Sequence, residues 1–404
     1  MNNTGGKANP NIAEDISVIG IRCTGCGACV IACTNNCITM TPDAEGFYYP
    51  QIQKQDCISC GKCLRVCPSF SAVPKKKPEI AYAATSKNGK ETEKSASGGM
   101  FYYAAKFMIE RMHGYVCGAV LDDHLGLRHI LTNDMSMVSK MQGSKYIQSS
   151  VYDCYTGIRE LVSSGVNVLF CGTPCQVAGV LKTIGNSECL YTMDVVCHGV
   201  PSNLAFAEYV KSMYGTDGFP NLSFRQKNPH IKSIFAYAFD KNSGKRKTIP
   251  AFQDPFYQAF LDGANYRECC YTCQYANPER VGNITIGDCA NWRAYDLPVD
   301  AVLSTLTVNT AKGKRIWNAI ADNLQYTQAD YDKESRLNKQ LSKPTARSSK
   351  RDSFYQDINK LSWKQLKDKY CHHRSPKEKI HNFILMHTSA RSRYRLCHFL
   401  RKMK

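Results

Sequence analysis

Eight cysteines near the start of the chain leave little freedom to whatever surrounds them. Cys23, Cys26, Cys29 and Cys33 follow the spacing Cys-x-x-Cys-x-x-Cys-x-x-x-Cys, and Cys57, Cys60, Cys63 and Cys67 repeat it with Pro68 directly behind. Nine of the 21 cysteines in the 404-residue chain lie between Cys23 and Cys67, too dense a set for scattered core thiols. The opening MNNTGGKANPNIAED is polar and lacks the basic stretch and apolar run of a secretory signal. No apolar run approaches the roughly 20 residues that span a bilayer. A cytoplasmic, thiol-reducing setting is therefore expected, and it turns the cysteines from disulfides toward metal.

The doubled run is the ligand spacing of bacterial two-cluster ferredoxins. Two-residue spacings wrap the backbone round one corner, so that three thiolates reach three irons of one cube. The fourth, at the start of a helix, points away and completes the other cube. The expected sets are Cys23, Cys26, Cys29 and Cys67 for one 4Fe-4S cluster, and Cys57, Cys60, Cys63 and Cys33 for the second. Gly25, Gly27 and Gly61 let backbone N–H groups approach the sulfurs. Structural zinc also uses paired Cys-x-x-Cys, but it needs only four ligands and does not call for a doubled, crossing pattern. Thr34 stands where the second run has Pro68, which loosens that turn, and Cys37 reads as a small core residue.

Composition divides the chain in three. A Cys-rich region, 16–72, is expected as an α+β ferredoxin-like dicluster domain, followed by the linker SAVPKKKP at 71–78. Residues 79–328 alternate strand-like and helix-like stretches. EIAYAAT, YVCGAVL, VNVLFCG, LYTMDVVCHG and NITIGD read as strands, and SIFAYAFD with KRKTIPAF as a hairpin. GGMFYYAAKFMIERM, VYDCYTGIRELVSSG, PCQVAGVLKTI and SNLAFAEYVKSMYG read as helices. Such alternation predicts an α/β layer with parallel strands. Residues 329–404 read as a basic, mostly helical C-terminal tail: from Tyr331 onward there are 20 Lys/Arg against 6 Asp/Glu, most of the net charge of +18.

Five ordered segments in the middle region are too particular for generic α/β sequence: SASGGMF at 95–101, GSKYIQS at 143–149, GTPCQVAG at 172–179, VCHGVPS at 196–202 and CYTCQYANPERVGNITIGD at 270–288. With the cysteine run upstream, residues 16–325 resemble the beta-subunit family of coenzyme F420 hydrogenases and dehydrogenases. The resemblance implies an α/β flavin-binding domain, usually with FAD, and a third 4Fe-4S cluster. The matching ligand positions are Cys175, Cys197, Cys270 and Cys273, with Cys269 beside Cys270 leaving one ligand open. Cys175 and Cys197 each follow a predicted parallel strand, whose carboxyl ends share a crevice. For the flavin the resemblance points to Ser97, Gly98 and Gly99, whose glycines at a helix start can admit a phosphate, to Lys145 and Tyr146, and to Gln176. His198 is the candidate proton relay and catalytic residue.

The implied chemistry joins a two-electron flavin to one-electron clusters. That makes the chain an expected oxidoreductase acting on a small hydride-type substrate, with a ferredoxin or flavodoxin-type carrier as partner. The alternative is an electron-transfer subunit docked on a catalytic redox subunit. The terminal HNFILMHTSARSRYRLCHFLRKMK mixes basic and apolar residues and suits an anionic membrane surface or an acidic partner. No nucleic-acid motif accompanies its charge.

Overall fold

A computed structural model describes residues 15–225, 236–241, 243–297, 302–371 and 392. Its N-terminal part opens with a 3-10 helix at Ile16–Arg22 and a short helix at Ala28–Ala32. An antiparallel hairpin of β1 (Ile38–Pro42) and β2 (Tyr48–Ile52) comes next, and then a helical turn at Lys62–Arg65. Gly27 and Gly61 precede the two helices at φ +71° and +67°, where a side chain would be strained. The core here is Ile16, Ile19, Ile38 and Leu64 packed with Cys29, Cys37, Cys63 and Cys67. Half of that core is sulfur. So small an apolar core is marginal alone, and bound metal supplies folding free energy in such modules.

The rest is built on an eight-stranded sheet in the order β12-β3-β11-β10-β7-β6-β4-β5. In sequence these are β3 (Ile80–Ser86), β4 (Tyr115–Leu121), β5 (Leu127–Thr132), β6 (Val168–Gly172), β7 (Leu190–Val195), β10 (Ile284–Asp288), β11 (Ser304–Val308) and β12 (Leu324–Ala329). A separate hairpin, β8 (Ala236–Asp240) with β9 (Arg246–Pro250), is the one expected from sequence. Strands β4, β6, β7 and β10 form the parallel block. Their residues are mostly apolar and buried or half-buried, as a strand covered on both faces requires, with Thr192, Asp194 and Thr285 as buried polar exceptions. The expectation of a parallel layer needs correcting at its margins: β5, β11 and β12 run antiparallel to their neighbours. Strand β3 points the same way as the parallel block, because β11 lies between it and β10. The carboxyl ends of β3, β4, β6, β7 and β10 therefore share one edge of the sheet.

Residues from 329 onward were expected as a basic extension, and over 329–371 the structure differs. Glu334 is fully buried and accepts hydrogen bonds from the Ala290 and Asn291 N–H groups, Tyr295 and Thr305. Phe354, Tyr355, Ile358, Leu366 and Tyr370 join the aromatic core around Phe206, Phe256 and Tyr257. Charge content hid this, because the lysines point outward while one residue in three or four faces in. The terminal basic–apolar stretch lies outside the described residues, apart from Ser392. No helix among the described residues is long and apolar enough to cross a membrane.

Candidate functional site

Thiols gather in three groups, two in the N-terminal module and one at the sheet edge. In the first, burial pushes the Cys29 thiol well up, and its neighbours Cys26, Cys23, Cys67 and Cys63 add to the effect. Burial likewise pushes Cys26 up to about 12, with Cys23 and Cys67 beside it. Cys67, from the second run, thus meets three cysteines of the first. The second group, Cys33, Cys57, Cys60 and Cys63, lines a narrow hollow together with Cys37, whose Sγ lies 3.3 Å from that of Cys33.

The third group rings a cavity of about 250 Å³. Thr173 follows β6 and caps the helix Pro174–Ile184, in a capping box with Gln176, which fixes Cys175 in the first turn. Cys197 follows β7, and Cys269, Cys270 and Cys273 come from the turn Glu268–Thr272 and its C-cap. Burial raises the Cys175 thiol well above its ordinary value, with Cys273, Cys197 and Cys269 adding to the effect. Burial also pushes Cys197 up to about 12, with Cys273 and then Cys269 as thiol neighbours. Cys269 and Cys270 both line the cavity; Cys270 also packs on the aromatic core around Tyr266 and has Cys197 as a thiol neighbour, so the choice between the adjacent pair stays open. Tyr275 lines the same cavity, and its hydroxyl is buried without a hydrogen-bond partner. Crowded neutral thiols beside an unused donor form a site that gives up protons to a bound metal centre and can hydrogen-bond its sulfur. The thiols ring the space without converging: among the described residues no three His, Cys, Asp or Glu side chains could hold a single ion.

A second cavity of about 280 Å³ opens at the carboxyl ends of the parallel strands. Ser97, Gly99, Lys145, Tyr146, Gln176 and His198 all line it, as do Cys175 and Cys197, so the two cavities share a wall. Gly98 does not line it. A side chain there would meet the Ala84 carbonyl at 2.5 Å, so this glycine serves the close approach of β3 and β11. Lys145 donates to the carbonyls of Lys140, Met141 and Gln142 at 3.0, 2.7 and 3.0 Å, which occupies all three of its hydrogens at a helix end. Burial pushes its pKa down to about 7, Cys171 partly opposing. Gln176 is committed to its cap and, through Nε2, to Ser149 Oγ at 2.9 Å. Tyr146 stacks on Phe260 at 4.5 Å between ring centres. His198 lines both cavities, and desolvation holds its pKa below the ordinary value, Asp288 opposing.

Two further residues of this cavity were not expected from sequence. His129 Nε2 lies 3.0 Å from the Cys171 carbonyl, which fixes the proton there and leaves Nδ1 an acceptor. That Nδ1 and Gln142 Oε1 are buried without partners. Burial holds the His129 pKa at about 4, so the ring is neutral. Both residues line the cavity, with these two acceptor atoms buried behind its surface.

Comparison with known proteins bears on these sites. Residues 165–334 match the family model for the C terminus of the coenzyme F420 hydrogenase/dehydrogenase beta subunit, and residues 22–71 match the 4Fe-4S dicluster domain. Residues 165–334 belong to that beta-subunit family. The dicluster match makes the N-terminal part an iron–sulfur electron-transfer module. Ketoisovalerate oxidoreductase subunit VorC of Methanothermobacter marburgensis is 29% identical over 55 residues, 13% of this chain and 70% of that protein. A chain in the xenon-derivatised structure of the F420-reducing NiFe hydrogenase complex from Methanosarcina barkeri matches at TM-score 0.42 and 16% identity. The match covers 65% of this chain and 91% of that one.

The beta-subunit domain is latched to the dicluster module by residues that carry no motif signal. Arg267 is fully buried and donates to the Cys23 carbonyl at 2.7 Å and the Tyr48 carbonyl at 3.0 Å, with its guanidinium 4.0 Å from the centre of the Tyr49 ring. Tyr155 donates to the Cys26 carbonyl at 2.8 Å. Inside the domain, buried Arg280 pairs with Asp194 at 2.8 Å, and Asp194 also accepts from the Gly282 N–H at 2.8 Å. That pair ties the loop carrying Cys269–Cys273 back to β7. An arginine in a loop carries no such meaning until the fold supplies its partner.

Proposed function

We propose that the chain is a flavin- and iron–sulfur-dependent oxidoreductase that exchanges single electrons with an outside carrier and electron pairs with a small hydride-type substrate. The reading rests on one observation: Cys175 and Cys197 form the wall between the thiol-ringed cavity and the cavity at the strand ends. A third 4Fe-4S cluster would be held by Cys175, Cys197, Cys273 and one of the adjacent pair Cys269 and Cys270. FAD would occupy the neighbouring cavity. Bound there, the flavin supplies the exchange between one- and two-electron chemistry.

The chain's own residues divide the remaining work. Ser97 and Gly99 border the space at a helix start, and His129 and Gln142 form part of its lining. Lys145 and Gln176 hold the backbone of the wall, and His198 stands at the shared wall where a proton can be passed to a substrate. Thr24 borders both cavities and follows Cys23, so the first cluster's ligand loop touches the same space. Electrons would pass through the dicluster module to or from a ferredoxin or flavodoxin-type carrier in the cytoplasm.

A second reading, a subunit that docks on a catalytic redox partner, draws on the exposed Ile21 and Ile58, at 69% and 65% exposure beside Cys23 and Cys57. The relative of the dicluster module, VorC, is itself named as a subunit. Anaerobic purification with iron and flavin counted per chain tests the main reading. It expects about 12 irons, four for each of three cubane clusters, and one flavin. Eight irons and no flavin would leave only the docked-subunit reading.

A further inference from the structure

The two cysteine runs require eight thiols, and a ninth stands among them. Cys37 is buried at 3% exposure, immediately before β1, and its carbonyl accepts from the Gln53 N–H at 2.9 Å. Its backbone is therefore pinned by the β1–β2 hairpin. Cys33 is the opposite: it is half-buried, ends the helix Ala28–Ala32, and leads into the exposed residues Thr34, Asn35 and Asn36. No proline stiffens that turn, and Asn36 takes a left-handed φ of +53°, which folds the chain back on itself. The result is a Cys33–Cys37 Sγ separation of 3.3 Å, with both thiols lining the hollow shared by Cys57, Cys60 and Cys63.

We infer that Cys37 is an exchange ligand of the outer cluster, able to take the iron position of Cys33. The inference rests on the dicluster reading of this module. In the exchange the iron–sulfur bond to Cys33 breaks and one to Cys37 forms. The Cys37 thiol proton passes across the Sγ–Sγ contact to the departing Cys33 thiolate, so no electron is gained or lost. Cys33 supplies the ligand on a pliant, solvent-facing turn, and Cys37 supplies it from a buried, strand-anchored position. The cluster is thus retained when the exposed ligand is lost or blocked.

Iron per chain and electron paramagnetic resonance of the reduced protein, measured anaerobically, separate the cases. Cys33→Ala should keep its full iron with an altered spectrum for one cluster. Cys37→Ala should also keep it, and the double variant should lose about four irons, one cubane cluster. Loss of about four irons in Cys33→Ala alone overturns the inference. An unmutated chain without iron would instead refute the dicluster reading on which it stands. A folding-independent check uses the unmutated, cluster-loaded protein treated with iodoacetamide and mapped by mass spectrometry. Exchange puts label on Cys33 as well as Cys37 ahead of Cys57, Cys60 and Cys63. Protection of Cys33 equal to that of those three contradicts it.

Discussion

The thiols of the N-terminal module and those of the thiol-ringed cavity are gathered by different construction. In the module, ligands three or four residues apart are gathered by local turns, with left-handed glycines before two short helices. In the cavity, Cys175, Cys197 and Cys273 come from the helix start after β6, the residues after β7 and a loop held by Arg280, so they meet only when the whole sheet is assembled. Local construction ties cluster assembly to a short segment. Long-range construction ties thiol placement to the stability of a domain, and in return it puts the thiols against a second cavity. This difference predicts which substitutions act on one centre and which act on the fold.

The largest effect is expected at the shared wall. Cys197→Ser should remove about four irons of 12, one cubane cluster, while leaving the resonance signals of the N-terminal pair intact. Loss of all iron would mean that the two constructions are not separable. Next comes the latch behind the cavity. Arg280→Leu leaves Asp194 charged and buried without its partner, and breaking such a pair costs roughly 3–5 kcal/mol. Chemical denaturation should register that loss, and iron should fall toward two clusters, since the dicluster module does not depend on this pair.

A smaller cost is expected where module and domain touch. A Cβ on Gly179 would sit 2.7 Å from the Tyr155 hydroxyl and 3.0 Å from Cys26 Cβ. Gly179→Ala should therefore destabilise by about 1–2 kcal/mol, overpacking outweighing the better helix propensity. The denaturation midpoint should drop with an unchanged slope. The smallest change concerns tuning. Tyr275→Phe deletes the unpartnered donor at the cavity, and one hydrogen bond of about 1 kcal/mol corresponds to roughly 40 mV for one electron. Redox titration should find one cluster shifted to more negative potential with iron content unchanged. No shift would remove Tyr275 from that cluster's surroundings.

The same contrast explains what could be read in advance. The eight N-terminal cysteines announce themselves because their spacing alone carries the geometry. Strands β6 and β7 and the helix Pro174–Ile184 were legible too, being buried runs bounded by turns and a capping box. Strand β12 was not, since LQYTQA is a polar edge strand buried mainly at its ends. The integration of 329–371 was hidden because Glu334 and Arg351 read as surface charges, yet both are buried, Arg351 donating to Glu45 at 2.7 Å. His129 and Gln142 gave no signal either, because an unpartnered atom exists only relative to a finished fold. Lys145 and Gln176 line the strand-end cavity, but the chain uses their polar atoms for capping.

Diffraction data collected at the iron absorption edge from anaerobically grown crystals address the central claim most directly. Three anomalous peaks are predicted: one beside Cys23, Cys26, Cys29 and Cys67, one in the hollow of Cys57, Cys60 and Cys63, and one between Cys175 and Cys197. The third should abut flavin density at the strand ends. Two peaks in the module, with nothing between Cys175 and Cys197, would contradict the account.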